Sequence, residues 1–142
     1  MNHDLKPASS ERGAKYCVPT AMAAVTHLSP RECRLAVETY TRRKQPRGIR
    51  VVDYYATLLS MGFRVKGTAY SPTSLGRVIK KLQHKAIIVI ESRPGSRSTH
   101  AIAYHNGYIC ENQNPKPIQW RYWVRKRYGY IPRVTHVTEI LS

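Results

Sequence analysis

Cys17, His100 and the polar run Glu111-Asn112-Gln113-Asn114 are the residues whose types, taken together, suit acyl transfer. A thiolate attacks a carbonyl, an imidazole takes up and returns the proton, and a carboxylate or amide holds the imidazole in one tautomer. Cys17 opens the stretch Cys17 to Leu28, which is rich in alanine and other apolar residues. Pro19 is tolerated only in a first helical turn, so a helix must begin close to Cys17. The dipole and free N–H groups of such a helix start favour thiolate over thiol and can hold an oxyanion. His100 stands at the head of a strand, and Asn106-Gly107 is a strong signal for a two-residue hairpin turn. With those residues in the turn, His105 faces Tyr108, Ile102 faces Glu111 and His100 lies opposite Gln113. Period two then puts His100, Ile102, Glu111 and Gln113 on one face, with Glu111 diagonal to the histidine. A one-residue bulge would bring Asn112 or Asn114 round instead, so the orienting group is open among these neighbours. The competing reading is plainer: a small buried cysteine and an ordinary strand histidine.

The elements that must position these groups can be read along the chain. Residues 1–15 are polar and irregular and read as a loose arm, and 16–142 read as one domain. Ser29, Pro30 and Glu32 form a Ser-x-x-Glu capping box for a second helix, on which Leu35, Ala36, Thr39 and Tyr40 recur at helical spacing. A third helix runs from about Val51 to Met61, with Gly62 as a left-handed cap. Phe63 to Lys66 is a short strand, and Ser71-Pro72 with Ser74 begins a fourth helix presenting Leu75, Val78, Ile79 and Leu82 on one face. Ala86 to Ile90 is apolar throughout and reads as a central strand buried on both faces. Ile118 to Val124 and Val134 to Leu141 read as further strands. Helices come first and an antiparallel sheet of about four to six strands follows, which makes an α+β domain.

A chain of 142 residues, 42% of them hydrophobic, is sized for one core, and its longest apolar run, Ala86 to Ile90, is far too short for a membrane span. The first residues carry no apolar signal region, and the three cysteines lack Cys-x-x-Cys spacing; both features point to reduced thiols in the cytoplasm. Cys33 and Cys110 are expected in the core, Cys110 on the hairpin face opposite His100. Cys17, His27, Cys33 and His105 lack the spacing of zinc ligands, and no cofactor is expected. Twenty-four Lys and Arg against eight Asp and Glu leave a net charge of +16, a surplus that must lie on the surface and attract polyanions. The stretch Trp120 to Tyr130 interleaves aromatics with Arg121, Arg125, Lys126 and Arg127, the mix that stacks on bases while neutralising phosphates. The plain alternative is a strand with its aromatics inward and its arginines solvated. With Arg42, Arg43, Lys44 and Arg47 of an earlier loop, these cations are expected to form a basic surface for nucleic acid or an acidic partner.

A cysteine at a helix start, then helices, an apolar strand, Thr99-His100-Ala101-Ile102-Ala103, Asn106-Gly107, Glu111 and Asn114: this order resembles papain-like cysteine peptidases. The likeness is greatest to small phage-type relatives and to the bacteriocin-processing peptidase domains of ABC exporters. In the small relatives a His-Ala-Val-Ala-Val-x-x-Gly strand turn precedes a short Asp-rich segment. His100 to Gly107 is similar to that turn, Glu111 and Asn114 stand where those relatives carry acids, and Asn114-Pro115 parallels the Asp-Pro pair of the exporter peptidases. The resemblance covers roughly Lys15 to Pro115. It implies a papain-like fold, Cys17 as nucleophile, His100 as base and then acid, Glu111 or Asn114 as orienting group, and a protein or peptide substrate. For a phage-encoded protein it also implies a place in the host cytoplasm or the virion. One departure stands out. Papain-like enzymes usually carry an oxyanion-hole Gln shortly before the cysteine, and Ser9 to Tyr16 hold neither Gln nor Asn. Either backbone N–H groups serve alone, or the chain is a catalytically inactive basic module binding nucleic acid or an acidic partner.

Overall fold

The computed structural model describes residues 4–7, 16–44 and 48–141, apart from the side chains of Asn114 and Pro115. Five helices and a six-stranded antiparallel sheet form among these residues, a mixed α+β architecture. In chain order the elements are α1 (Cys17–Thr26), α2 (Pro30–Thr41), α3 (Val51–Ser60), β1 (Val65–Ser74), α4 (Leu75–Ile79), β2 (Ala86–Glu91), β3 (Thr99–His105), β4 (Tyr108–Glu111), β5 (Asn114–Gln119), α5 (Trp120–Arg127) and β6 (Arg133–Ile140). The sheet order is β1-β6-β2-β3-β4-β5, so the last strand inserts between the first two.

Local chemistry explains most helix ends. Pro19 lies in the first turn of α1, where a missing N–H costs little, and Val18 to Val25 are all buried. Three alanines within that stretch let the helix lie close against β3 on one side and α2 on the other. His27 stops it in the left-handed region (φ 65°), its N–H returning to the Ala23 carbonyl at 2.9 Å. The capping box of α2 is complete: Glu32 N–H donates to Ser29 Oγ at 3.0 Å, and Ser29 N–H to Glu32 Oε1 at 3.1 Å. α3 ends in a Schellman motif with Gly62 at φ 93°, in which Phe63 N–H reaches the Leu58 carbonyl and Gly62 N–H the Leu59 carbonyl.

β2 is buried along its whole length because both faces of the sheet are covered. Ile87, Val89, Ala101, Ala103 and Cys110 pack with α1, α2 and α3. Ala86, Ile88, Ile90, Ile102 and Ile109 pack with α4 and α5. The expected picture of N-terminal helices on one side of a sheet is therefore incomplete, since α4 and α5 form a second helical layer. No helix among the described residues is long and apolar enough to cross a membrane.

Four expectations need correction. Ile118 to Val124 is not a strand: β5 ends at Gln119, whose side chain accepts the Tyr122 N–H at 3.1 Å and caps α5. Trp120, Trp123, Val124 and Arg127 share a face at helical spacing, and three cations in the last turn complement the dipole. The alternating aromatics and cations satisfy period two over the same stretch, which is why the local pattern misleads. The fourth helix starts later than Ser71-Pro72, because β1 bulges past Ala69 and resumes pairing at Thr73 and Ser74 before α4 begins at Leu75. On α2 the buried face is Cys33 and Val37, while Leu35 and Tyr40 are exposed. Residues 4–7 do not belong to a loose arm: Leu5 is buried in the core, Lys6 N–H bonds the Ala24 carbonyl at 3.0 Å, and Asp4 pairs with Lys85 at 3.1 Å. Residues 8–15 and Arg47 lie outside the described residues.

Candidate active site

Cys17 is the first residue of α1, following an extended Tyr16 (φ −101°, ψ 134°), so its side chain stands at the positive end of the helix. The sulfur has the His100 imidazole and the backbone of Ala101 and Val18 as neighbours, and each favours its thiolate form. The hairpin explains why Ala101 can serve. Asn106 (φ 48°) and Gly107 (φ 87°) make the tight turn, and His105 opposes Tyr108 as expected. Alternate residues of β3, His105, Ala103 and Ala101, then direct their backbone groups toward β4. The β3–β4 ladder covers only Ala103 to His105, which leaves the Ala101 backbone to the sulfur.

Glu111 is the residue that the hairpin brings to His100. Its Oε1 lies 3.5 Å from His100 Nε2, an ion-pair distance without the alignment of a good hydrogen bond. The carboxylate is fully buried, a position that is strongly unfavourable for an unpaired charge. Here it has partners on both oxygens. Gln113 N–H donates to Oε1 at 2.7 Å, while Trp123 Nε1 donates to Oε2 at 3.2 Å and Arg127 Nε lies 3.2 Å from the same oxygen. Gln113 turns its side chain away, to accept from Arg127. Asn112 sits half-buried in the turn, and Asn114 opens β5 opposite Glu111, its side chain outside the described residues. The irregularity allowed for in the sequence falls between β4 and β5, not between β3 and β4, so Glu111 keeps its place beside the histidine.

The three groups straddle the sheet. Cys17 arrives with α1 on one face, Glu111 is held from the other face by α5, and His100 joins them at the uncovered head of β3. Their protonation states are coupled. Burial pushes the Cys17 thiol up, but His100 and the backbone of Ala101 and Val18 together outweigh it and hold the thiol below its ordinary value. Burial drags His100 down, yet the neighbouring Cys17 and Glu111, which favour the imidazolium, push it up to about 9. Glu111 is raised by burial and lowered more strongly by His100, the Gln113 N–H and Arg127, ending below the usual carboxylate range. These directions agree, each favouring the charged form: thiolate, imidazolium and carboxylate in a row. Cys33 makes the contrast, since burial outweighs the Thr26 hydroxyl and the Lys6 charge and pushes its thiol up to about 11.

Two hollows meet at this point. A cavity of about 280 Å³ on the α1 side is lined by Cys17, Ile49, Arg50, Tyr54 and His136, and one of about 500 Å³ on the other side by Arg93, His100, Arg127, Tyr128 and Tyr130. Thr99 lines both, so an extended chain crossing it would pass Cys17 and His100 in succession. Among the described residues no three His, Cys, Asp or Glu side chains gather as a metal site.

Of the expected nucleic-acid contacts, Arg121 and Arg125 line a separate groove, and exposed Lys126 lies 6.0 Å from the Tyr122 ring. Arg127 belongs to the Glu111 network instead, a correction that follows from α5 being a helix: Trp123 and Arg127, four residues apart, share its inward face. Trp123 and Tyr54 were not among the sequence candidates. The helical spacing of Trp123 and Arg127 was the signal for the first; nothing in the sequence marked Tyr54, a fully buried side chain beside the Cys17 cavity. Compared with models of known protein families the chain matches none, and no curated protein is significantly similar to it in sequence.

Proposed function

We propose that the chain is a papain-like cysteine peptidase, hydrolysing peptide or isopeptide bonds. The observation that carries this reading is the neighbouring Cys17 and His100, each stabilising the other's charged form, with the buried Glu111 carboxylate 3.5 Å behind the imidazole. In this mechanism the Cys17 thiolate adds to the scissile carbonyl, and the oxyanion is held by backbone N–H groups at the start of α1. The His100 imidazolium gives its proton to the leaving amine, which departs and leaves a thioester on Cys17. His100, now neutral, takes a proton from water as it attacks the thioester, releasing the acid and restoring the thiolate–imidazolium pair. Glu111 keeps the ring oriented and its positive charge stable throughout.

The test is covalent labelling with a peptidyl acyloxymethyl ketone, followed by mass mapping. Cys17 should be modified selectively, and the His100→Ala variant should lose that modification. Equal labelling of Cys17, Cys33 and Cys110 would count against an activated nucleophile. The other reading, an inactive basic module, is favoured by the cations that line the groove away from Cys17. The two separate on Cys17→Ser: retention of the biological effect supports the module, and its loss with polyanion binding intact supports the peptidase.

A further inference from the structure

A groove of about 890 Å³, larger than either hollow beside Cys17, lies between α4 and α5, on the face of the sheet away from α1. Arg77 and Lys80 stand on the α4 wall, and Arg121 and Arg125 on the α5 wall, one helical turn apart in sequence. Between them lie Trp120 and Ile131, and among the described residues no Asp or Glu lines the groove. None of the four cations takes part in a salt bridge among the described residues, whereas Arg34, Arg50, Lys85, Arg127 and Arg133 each have an acidic partner. The Arg121 guanidinium lies over the Trp120 ring, 5.1 Å from its centre, so a cation and a flat aromatic surface are offered together.

We infer that this groove binds single-stranded nucleic acid, with phosphates on the two cationic walls and bases against the aromatic floor. Four uncompensated like charges around one concavity repel each other, and an anion laid between them relieves that repulsion. Charge alone would accept any polyanion. The floor narrows the choice: a single strand carries phosphates and flat, exposed base faces in the same chain, and stacking on an indole uses the second. A duplex keeps its base faces stacked inside, and an acidic peptide has charge without planar faces to match Trp120. The inference is independent of peptidase activity, since neither Cys17 nor His100 lines the groove.

The experiment is fluorescence anisotropy of the intact chain with a labelled oligothymidylate of about twenty nucleotides across a salt series. With four phosphate contacts the logarithm of the affinity should fall against log salt with a slope of about −3. Arg121→Glu with Arg125→Glu should weaken binding at least about tenfold and cut that slope by about half. Arg42→Glu with Arg43→Glu makes the same change of charge elsewhere and should cost less than about threefold. Should circular dichroism show the α5 pair misfolded, Arg77→Gln with Lys80→Gln reads the same groove from the other wall and should also weaken binding. Cys17→Ser should bind as the parent does. Equal losses from the groove and control pairs would overturn the proposal in favour of diffuse surface charge. Preference for duplex, or for polyglutamate over the oligonucleotide, would overturn it in favour of a partner without exposed bases.

Discussion

α5 carries two arginines outward and one inward, and their surroundings could hardly differ more. Arg127 lies 3.2 Å from a carboxylate with no exposed surface and contributes to keeping that carboxylate ionised. Arg121 and Arg125, earlier on the helix, face a groove that no acid among the described residues lines. A cation whose charge is already matched inside the fold is a structural part of the neighbouring site. A cation left unmatched on a concave surface has affinity to offer to something else. Composition counts the three alike, and only their partners separate them.

The comparison breaks most completely at the thiol end. His100→Ala should lower peptidase turnover by about a thousandfold or more, since the thiolate's partner and the leaving-group acid vanish together. Single-turnover assays on a peptide substrate would measure this, and a loss under tenfold would detach His100 from the chemistry.

Glu111→Gln comes next, with an expected loss of about a hundredfold and a change in pH dependence. His100 is pushed up to about 9, so the imidazolium, and the activity that needs it, should fall away as pH rises through about 9. Removing the carboxylate lowers that limb toward the ordinary histidine range. Stability carries a second check. Glu111 has a depressed value in the fold, so its contribution is present above the ordinary carboxylate range and is lost as pH falls through the lowered value. The stability gap between the parent chain and Glu111→Gln, measured by urea unfolding, should therefore shrink in acid.

Trp123→Phe keeps the ring in the core and removes the donor to Glu111, a charge-assisted bond worth about 1.5–3 kcal/mol, and should destabilise the chain by about that amount. It should also slow turnover by less than Glu111→Gln does, because Arg127 and the Gln113 N–H remain. Smallest of all, on this side of the molecule, is the effect of Arg121→Glu with Arg125→Glu: turnover on a short neutral peptide within about twofold and stability within about 0.5 kcal/mol. A larger loss of turnover would mean that the groove and the thiol site are coupled.

Much of the site was legible before the fold was known, because it rests on local rules. Pro19 ties a helix start to Cys17, and Asn106-Gly107 sets the register that carries Glu111 to His100. The capping box at Ser29 and the buried strand at Ala86 to Ile90 are local in the same sense. α5 was not legible as a helix, since its residues satisfy both periods and the deciding contacts, Trp123 with Glu111 and the Gln119 cap, depend on where the chain had already been placed.

By itself, then, the sequence marked Cys17 and His100 as candidate nucleophile and base, narrowed the orienting group to Glu111 and its neighbours, and required a cationic surplus at the surface, because helix starts, turn geometry and net charge need no distant partner. The tertiary structure decided the rest. β6 entered the sheet between β1 and β2, and α4 and α5 covered the second face. That layer closed over Glu111, took Arg127 inward, and left Arg77, Lys80, Arg121 and Arg125 around one groove. These outcomes rest on contacts between residues far apart in the chain, which no local pattern records.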